Sequence, residues 1–183
     1  MPQSPLDRAR VRSWTKQIDD SLHLNVHVLT FVTFYRQRAL HLPADQMVRS
    51  LPLSNPIKQR CTLDLMANGF ESQYIPTAVA RFRTLLADME SALSGSAWLV
   101  AGEYSLADSD FTPYLRRLED LGIWELARDS HPKVARWFAQ VQARPSYKAA
   151  ILDWVTPEED ERGKLQAASA KPHFAAAWAA AER

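Results

Sequence analysis

Two histidines four residues apart, His23 and His27, are the first side chains in this sequence whose spacing could serve chemistry. On a helix that step sets both imidazoles on one face, as a metal site would require. The sequence offers no suitably spaced third ligand, so no metal is expected. The one cysteine, Cys61, has no CxxC partner and falls in a segment patterned as helix. An inert, buried or half-buried thiol is expected there rather than a nucleophile. Ser105-Leu106-Ala107-Asp108 holds a hydroxyl and a carboxylate three residues apart, the spacing of a capping box. The amide protons of a first helical turn lack intrahelical partners. Ser105 and Asp108 can each satisfy one, and the Asp108 charge faces the positive end of the helix dipole.

The elements that must position these residues read as helices. Ser4-Pro5-Leu6-Asp7 offers a cap, a first-turn proline and an acid where a capping box reaches back. Behind it Val11, Trp14, Ile18, Leu22, Val26 and Leu29 form one apolar stripe, predicting a helix to about His41. Pro43, Pro52 and Pro56 break the chain, with a short helix from Asp45 to Leu51 expected between them. Further helices are predicted from Pro56 to Asn68, from Pro76 to Leu93, and from Ser105 to Leu121 with a kink at Pro113. Another follows His131-Pro132, with Val134, Trp137, Phe138 and Val141 inward, and a short one covers Ser146 to Trp154. The tail after Thr156 should end in an amphipathic helix docked by Phe174 and Trp178, its charged run Glu158 to Arg162 a solvated helix start. No segment alternates over strand length and no repeat is found, so the fold class is an all-α helical bundle. Residues 1–155 form its domain, and 156–183 a tail with a docking helix.

Composition narrows the setting. The chain has 183 residues, 46% of them hydrophobic, 5 glycines and a formal net charge of +1. That is one globular core with no electrostatic footprint for nucleic acid or an anionic membrane surface. A single cysteine, no bilayer-length apolar run and no secretory leader pattern predict a cytoplasmic protein. Trp14, Trp98, Trp137 and Trp154 fit core or interface positions rather than a base-stacking platform.

Trp98-Leu99-Val100-Ala101-Gly102-Glu103-Tyr104-Ser105-Leu106-Ala107-Asp108 resembles the segment entering the central core helix of glutathione S-transferases. Pro132-Lys133-Val134-Ala135-Arg136-Trp137 and Arg144-Pro145-Ser146-Tyr147 resemble that family's closing helices. The opening Asp7 to Lys16 is similar to the first helix of the C-terminal domain in bacterial members. Asn68-Gly69-Phe70 is closest to the β-etherase-like subgroup, enzymes that cleave aryl ethers with glutathione. The resemblance spans about residues 5 to 155.

In that family a preceding thioredoxin-like domain holds glutathione and stabilises its thiolate. No position here matches those residues, so no catalytic residue is carried over and the chain is expected to be inactive alone. The resemblance implies two weaker transfers. Asp20 lies near an acid that reaches glutathione bound by the partner subunit; a solvated helix-face carboxylate is the other reading. His23, His27, Thr30 and Phe34 correspond to the substrate-pocket face of the same helix; packing against neighbouring helices is the alternative. Glutathione is thus expected only with a thioredoxin-like partner, the substrate being a small electrophile or aryl ether. A second reading is a non-catalytic binding or oligomerisation module. It self-associates, through the first helix and the Phe174–Trp178 tail.

Overall fold

The structure, a computed structural model, describes residues 1–43, 46 and 55–181. Among the described residues every regular element is helical and none is a strand. The helix expected over 45–51 falls outside them, save for Gln46.

The first helix, α1, is one uninterrupted run assembled from Pro5–Gln17, Ile18–Leu22, His23–Thr30, Phe31–Tyr35 and Arg36–Leu40. It starts where expected: the Ser4 hydroxyl accepts the Asp7 amide, and Pro5 occupies the first turn. The Asp7 carboxylate does not reach back. It pairs instead with Arg10 at 2.8 Å. Ile18–Leu22 and Phe31–Tyr35 are π turns, in which His23 N–H bonds the Ile18 carbonyl and Arg36 N–H bonds that of Phe31. Each takes in one residue more than an α turn and so re-phases the helix beyond it. The expected stripe therefore holds at Val11, Leu22 and Leu29, while Val28, Val32 and Thr33 are also buried and Val26 is only half-buried.

The remaining helices are α2 (Pro56–Asn68), α3 (Tyr74–Ala92), α4 (Leu106–Asp120), α5 (Trp124–Ala127), α6 (Pro132–Gln142), α7 (Pro145–Ala150) and α8 (Pro157–Ala180). The short α5 has no sequence-level counterpart above. The stretch expected as one short helix up to Trp154 splits into α7 and a 3₁₀ turn, Leu152–Trp154. Helix α3 is the hub, packing against the His23–Thr30 part of α1, against α8 and against α6. Its stripe Val79, Phe82, Leu86, Met89 and Leu93 is buried throughout.

Helix α4 supplies the polar anchor of the core. Ser105 and Asp108 form the capping box, and Asp108 is fully buried. Its Oδ2 accepts the Ser105 amide at 2.8 Å and the Ser105 hydroxyl at 3.0 Å. Its Oδ1 accepts the Leu99 amide at 3.0 Å and the Trp137 indole at 2.8 Å. One carboxylate thus caps a helix, pins the preceding loop and fixes a core tryptophan, as a buried charge must if it is to be tolerated. Helix α6 has no side-chain cap of its own at His131; Glu90 of α3 accepts the Lys133 and Val134 amides instead, both at 3.0 Å through Oε2.

Helix α8 docks as its aromatics suggest. Phe174 and Trp178 are buried, Phe174 meets Phe70 edge-on, and Arg83 of α3 lies 4.8 Å from the Trp178 ring. Both aromatics are consumed inside the chain, as a docking helix requires, so a contact of this tail with a second copy would use its other faces. Pro172 lies within α8 rather than ending it. No described helix is long and apolar enough to cross a membrane.

Candidate functional site

The segment between the two π turns, His23–Thr30, forms one wall of an open cavity of about 820 Å³. His23, His27 and Thr30 line it together with Val26 and Phe31. Lys58 and Thr62 of α2 face them, as do Pro113, Tyr114 and Arg117 of α4. Past the second π turn Tyr35, Arg38, Ala39 and Leu42 complete the described lining. Pro113 lies inside α4, where it has no N–H to give the ladder, and its ring is part of this wall.

His27 is half-buried and its Nε2 lies 2.9 Å from the Thr62 hydroxyl. That hydroxyl donates its one proton to the Lys58 carbonyl at 2.8 Å, so it can only accept from the ring. His27 is therefore the Nε2–H tautomer, with its lone pair on Nδ1. Burial, then the Lys58 and His23 charges, lower its pKa to about 4, and the ring is neutral at physiological pH. His23 Nδ1 lies 3.1 Å from the Tyr114 hydroxyl. Burial raises the Tyr114 phenol, with Asp19 and Asp110 adding to it, so it keeps its proton and can act as a donor. Burial likewise raises Asp110, one turn before it on α4.

The two histidines thus serve separate partners. Among the described residues no three His, Cys, Asp or Glu side chains come together as a metal site. Cys61 is buried on α2 away from the lining, and burial raises its thiol. No thiol or carboxylate stands among the described lining residues. The groups present can hold and orient a ligand through rings, hydroxyls, the neutral His27 imidazole and cations; none is an activated nucleophile.

The four pocket positions named from the resemblance divide three to one. His23, His27 and Thr30 share the cavity, whereas Phe34 turns to an adjacent cavity of about 1130 Å³, its ring 5.6 Å from the Arg117 guanidinium. Asp20 is outside both; it is exposed and pairs with Lys16 at 2.8 Å. Sequence reasoning missed Lys58, Thr62, Tyr114 and Arg117. Their only signal was membership of helices α2 and α4, and which face of each meets α1 is a tertiary fact.

Comparison with known proteins gives this geometry a family. Residues 46–145 match the family model described as glutathione S-transferase, C-terminal domain. Glutathione S-transferase TCHQD of Arabidopsis thaliana is 39% identical over 67 residues, covering 37% of this chain and 25% of that protein. Protein LigF of Sphingobium sp. is 24% identical over 151 residues, covering 80% of this chain and 59% of the relative. The crystal structure of the β-etherase LigF from Sphingobium sp. strain SYK-6 superposes with a TM-score of 0.69 at 23% identity, covering 81% of this chain and 63% of that one. The chain therefore spans less than two thirds of the length of each relative it matches. With its helices in that arrangement and more than half of its residues inside the match, the chain belongs to the glutathione S-transferase C-terminal domain family.

Proposed function

We propose that this chain is the substrate-side domain of a glutathione-dependent transferase, its α1 cavity receiving a small electrophilic aryl compound. A thioredoxin-like unit, on the same polypeptide or another, holds glutathione and stabilises its thiolate. The thiolate sulfur then forms a bond to the substrate carbon while the bond to the leaving group breaks. With an aryl ether, the bond that LigF's description as a β-etherase suggests, the leaving group is an aryloxide. The observation that carries this reading is the cavity itself. It is concave and part aromatic, and its described lining holds binding groups with no nucleophile of its own. Asp20 is proposed to reach glutathione held by a partner subunit, exchanging its exposed pair with Lys16 for the ligand. Members of this family commonly dimerise, and a homodimer is proposed here.

The test is turnover of glutathione with 1-chloro-2,4-dinitrobenzene. The pure chain should give the background rate, and the same chain fused behind a thioredoxin-like, glutathione-binding domain should exceed it. Turnover by the pure chain overturns the need for a partner. A folded, glutathione-binding fusion with no turnover overturns the transferase reading.

One observation favours the second reading, a non-catalytic binding module. Trp154 is 79% exposed beside Leu152 and Val155, which are also exposed. An apolar cluster of this kind suits a protein contact. Light scattering at micromolar concentration on the chain and on Trp154→Ser separates the two: association lost in the variant assigns Trp154 to an interface, and unchanged association removes it.

A further inference from the structure

We infer that the α1 cavity selects anionic aryl ligands, an aromatic ring bearing a carboxylate, sulfonate or phenolate, because Arg38, Lys58 and Arg117 converge on one aromatic cavity from three helices. This rests on the cavity being the substrate site proposed above and adds the charge its ligand carries.

The sign of the lining is the argument. The chain has 22 Lys and Arg against 21 Asp and Glu, so composition alone gives no reason for a cavity to carry one sign. Arg38, Lys58 and Arg117 nevertheless line this cavity with no described carboxylate among them. The neighbouring cavity, which shares the Arg38–Arg117 edge, carries both signs. There Glu119, Asp120, Glu125, Glu159 and Asp160 stand among the cations. Arg116 meets Asp120 at 2.7 Å and Lys164 meets Asp160 at 2.6 Å, so that cavity is internally neutralised. Arg38 and Arg117 line both cavities, Arg117 with Asp120 as a distant partner at 3.6 Å, while Lys58 belongs to the α1 cavity alone. Arg38 and Lys58 have no acidic partner among the described residues.

A concave, partly apolar site with one sign of charge focuses its field on the ligand, and guanidinium groups suit planar carboxylates. Phe31, Tyr35 and Tyr114 supply the aromatic contact, and Val26, Ala39 and Leu42 the apolar floor. The histidines do not cancel this. An imidazole is neutral or cationic and brings no negative charge to pair with the cations, and His27 has its N–H committed to Thr62.

Calorimetry on the whole chain with 2-naphthoate, 2-naphthamide and 2-naphthylmethylammonium tests the inference, with amide and histidine chemical shifts locating the site. Naphthoate should bind about tenfold tighter than naphthamide, the ammonium compound weakest, and the advantage should shrink as salt rises. Lys58→Met and Arg38→Gln, both away from the core, should each cut naphthoate affinity about threefold or more and change naphthamide affinity by less, so that the ratio of the two falls. Equal affinities for the three probes, with shifts at His27 and Tyr114, would overturn anion selection while the cavity stands as the substrate site. No shift at His27 or Tyr114 with any probe would overturn both. Displacement of naphthoate by glutathione, weakened by the same two variants, would assign the cations to the tripeptide and overturn the aryl assignment.

Discussion

The Trp137 indole donates to Asp108 Oδ1 at 2.8 Å, joining a fully buried carboxylate on α4 to a fully buried ring on α6. Two α-helices distant in sequence are thereby fixed at one polar point inside an apolar core. The same carboxylate accepts three further hydrogen bonds from Ser105 and Leu99. Asp108→Ala leaves the Trp137 and Leu99 donors buried without an acceptor. It should lower stability by about 3–5 kcal/mol, more than loss of a helix cap alone would cost. Asp108→Asn keeps one oxygen but turns an NH₂ toward donors, and about 2–3 kcal/mol is expected. Urea denaturation followed by tryptophan fluorescence measures both. A loss below 1 kcal/mol for the alanine variant would show that these bonds do not form.

His27 gives a pH dependence with a definite sign. Its folded pKa of about 4 lies below the unfolded value, so between pH 6.5 and 4 the unfolded chain binds more protons. Stability should fall as pH drops through that window and level off below it. The loss assigned to this group is about 1–3 kcal/mol after discounting for its partial contact with solvent. His27→Gln should flatten that slope. Imidazole NMR should show the Nε2–H form persisting at pH 5.5, and a midpoint near 6.5 would contradict the assignment.

Glu90 caps a helix from outside it. Glu90→Ala strips two first-turn amides of α6 of their acceptor and removes a negative charge from the helix's positive end. A loss of about 1–2 kcal/mol is expected, and Glu90→Gln should lose roughly half as much. Hydrogen exchange at the Lys133 and Val134 amides should speed up in both, and unchanged exchange would place the cap elsewhere.

Arg36 and Gly69 should be energetically coupled. The Arg36 guanidinium donates to the Leu65 and Met66 carbonyls, closing the end of α2, and Gly69 follows with φ +58°. A Cβ at Gly69 would stand 3.1 Å from Arg36 Cζ. Gly69→Ala therefore combines left-handed strain with displacement of the arginine, at about 1–3 kcal/mol. Arg36→Ala costs about 1–2 kcal/mol through the freed carbonyls. The double variant should cost about 0.5–1 kcal/mol less than the two losses added, a shortfall that a double-mutant cycle reads directly.

The helices were legible in the sequence because each carries its own punctuation. Ser4 with Pro5, Asn68 with Gly69, Ser105 with Asp108 and Pro132 mark boundaries that the structure keeps to within a few residues. The α3 stripe was legible for the same reason, since Val79 to Leu93 keeps one uninterrupted α-helical phase. In α1 the phase slips at the π turns, and no residue type announces such a slip. Val28 and Val32 were therefore absent from the expected core. The cavity was half legible. His23, His27 and Thr30 share a face of one helix, which local spacing can reveal. Lys58, Tyr114 and Arg117 join them only through packing between helices far apart in the chain, and Phe34 is drawn off by Arg117.

The π turns at Ile18–Leu22 and Phe31–Tyr35 make the ligand-facing wall adjustable by length as well as by side chain. Loss of one residue from either would restore an ordinary α turn, and because each turn already holds one residue more than its rotation needs, the helix beyond it would face as before. A deletion that re-phases an ordinary helix is here absorbed within a single turn of the wall. Within Phe31–Tyr35 such a loss would keep Arg38 at the opening and leave His23 and His27 in place, since Leu22 and Leu29 anchor the earlier segment in the core, and would remodel only the stretch of wall between them. Ligand preference in this bundle could then diverge by a single-codon loss, a cheaper route than remaking its wall one substitution at a time.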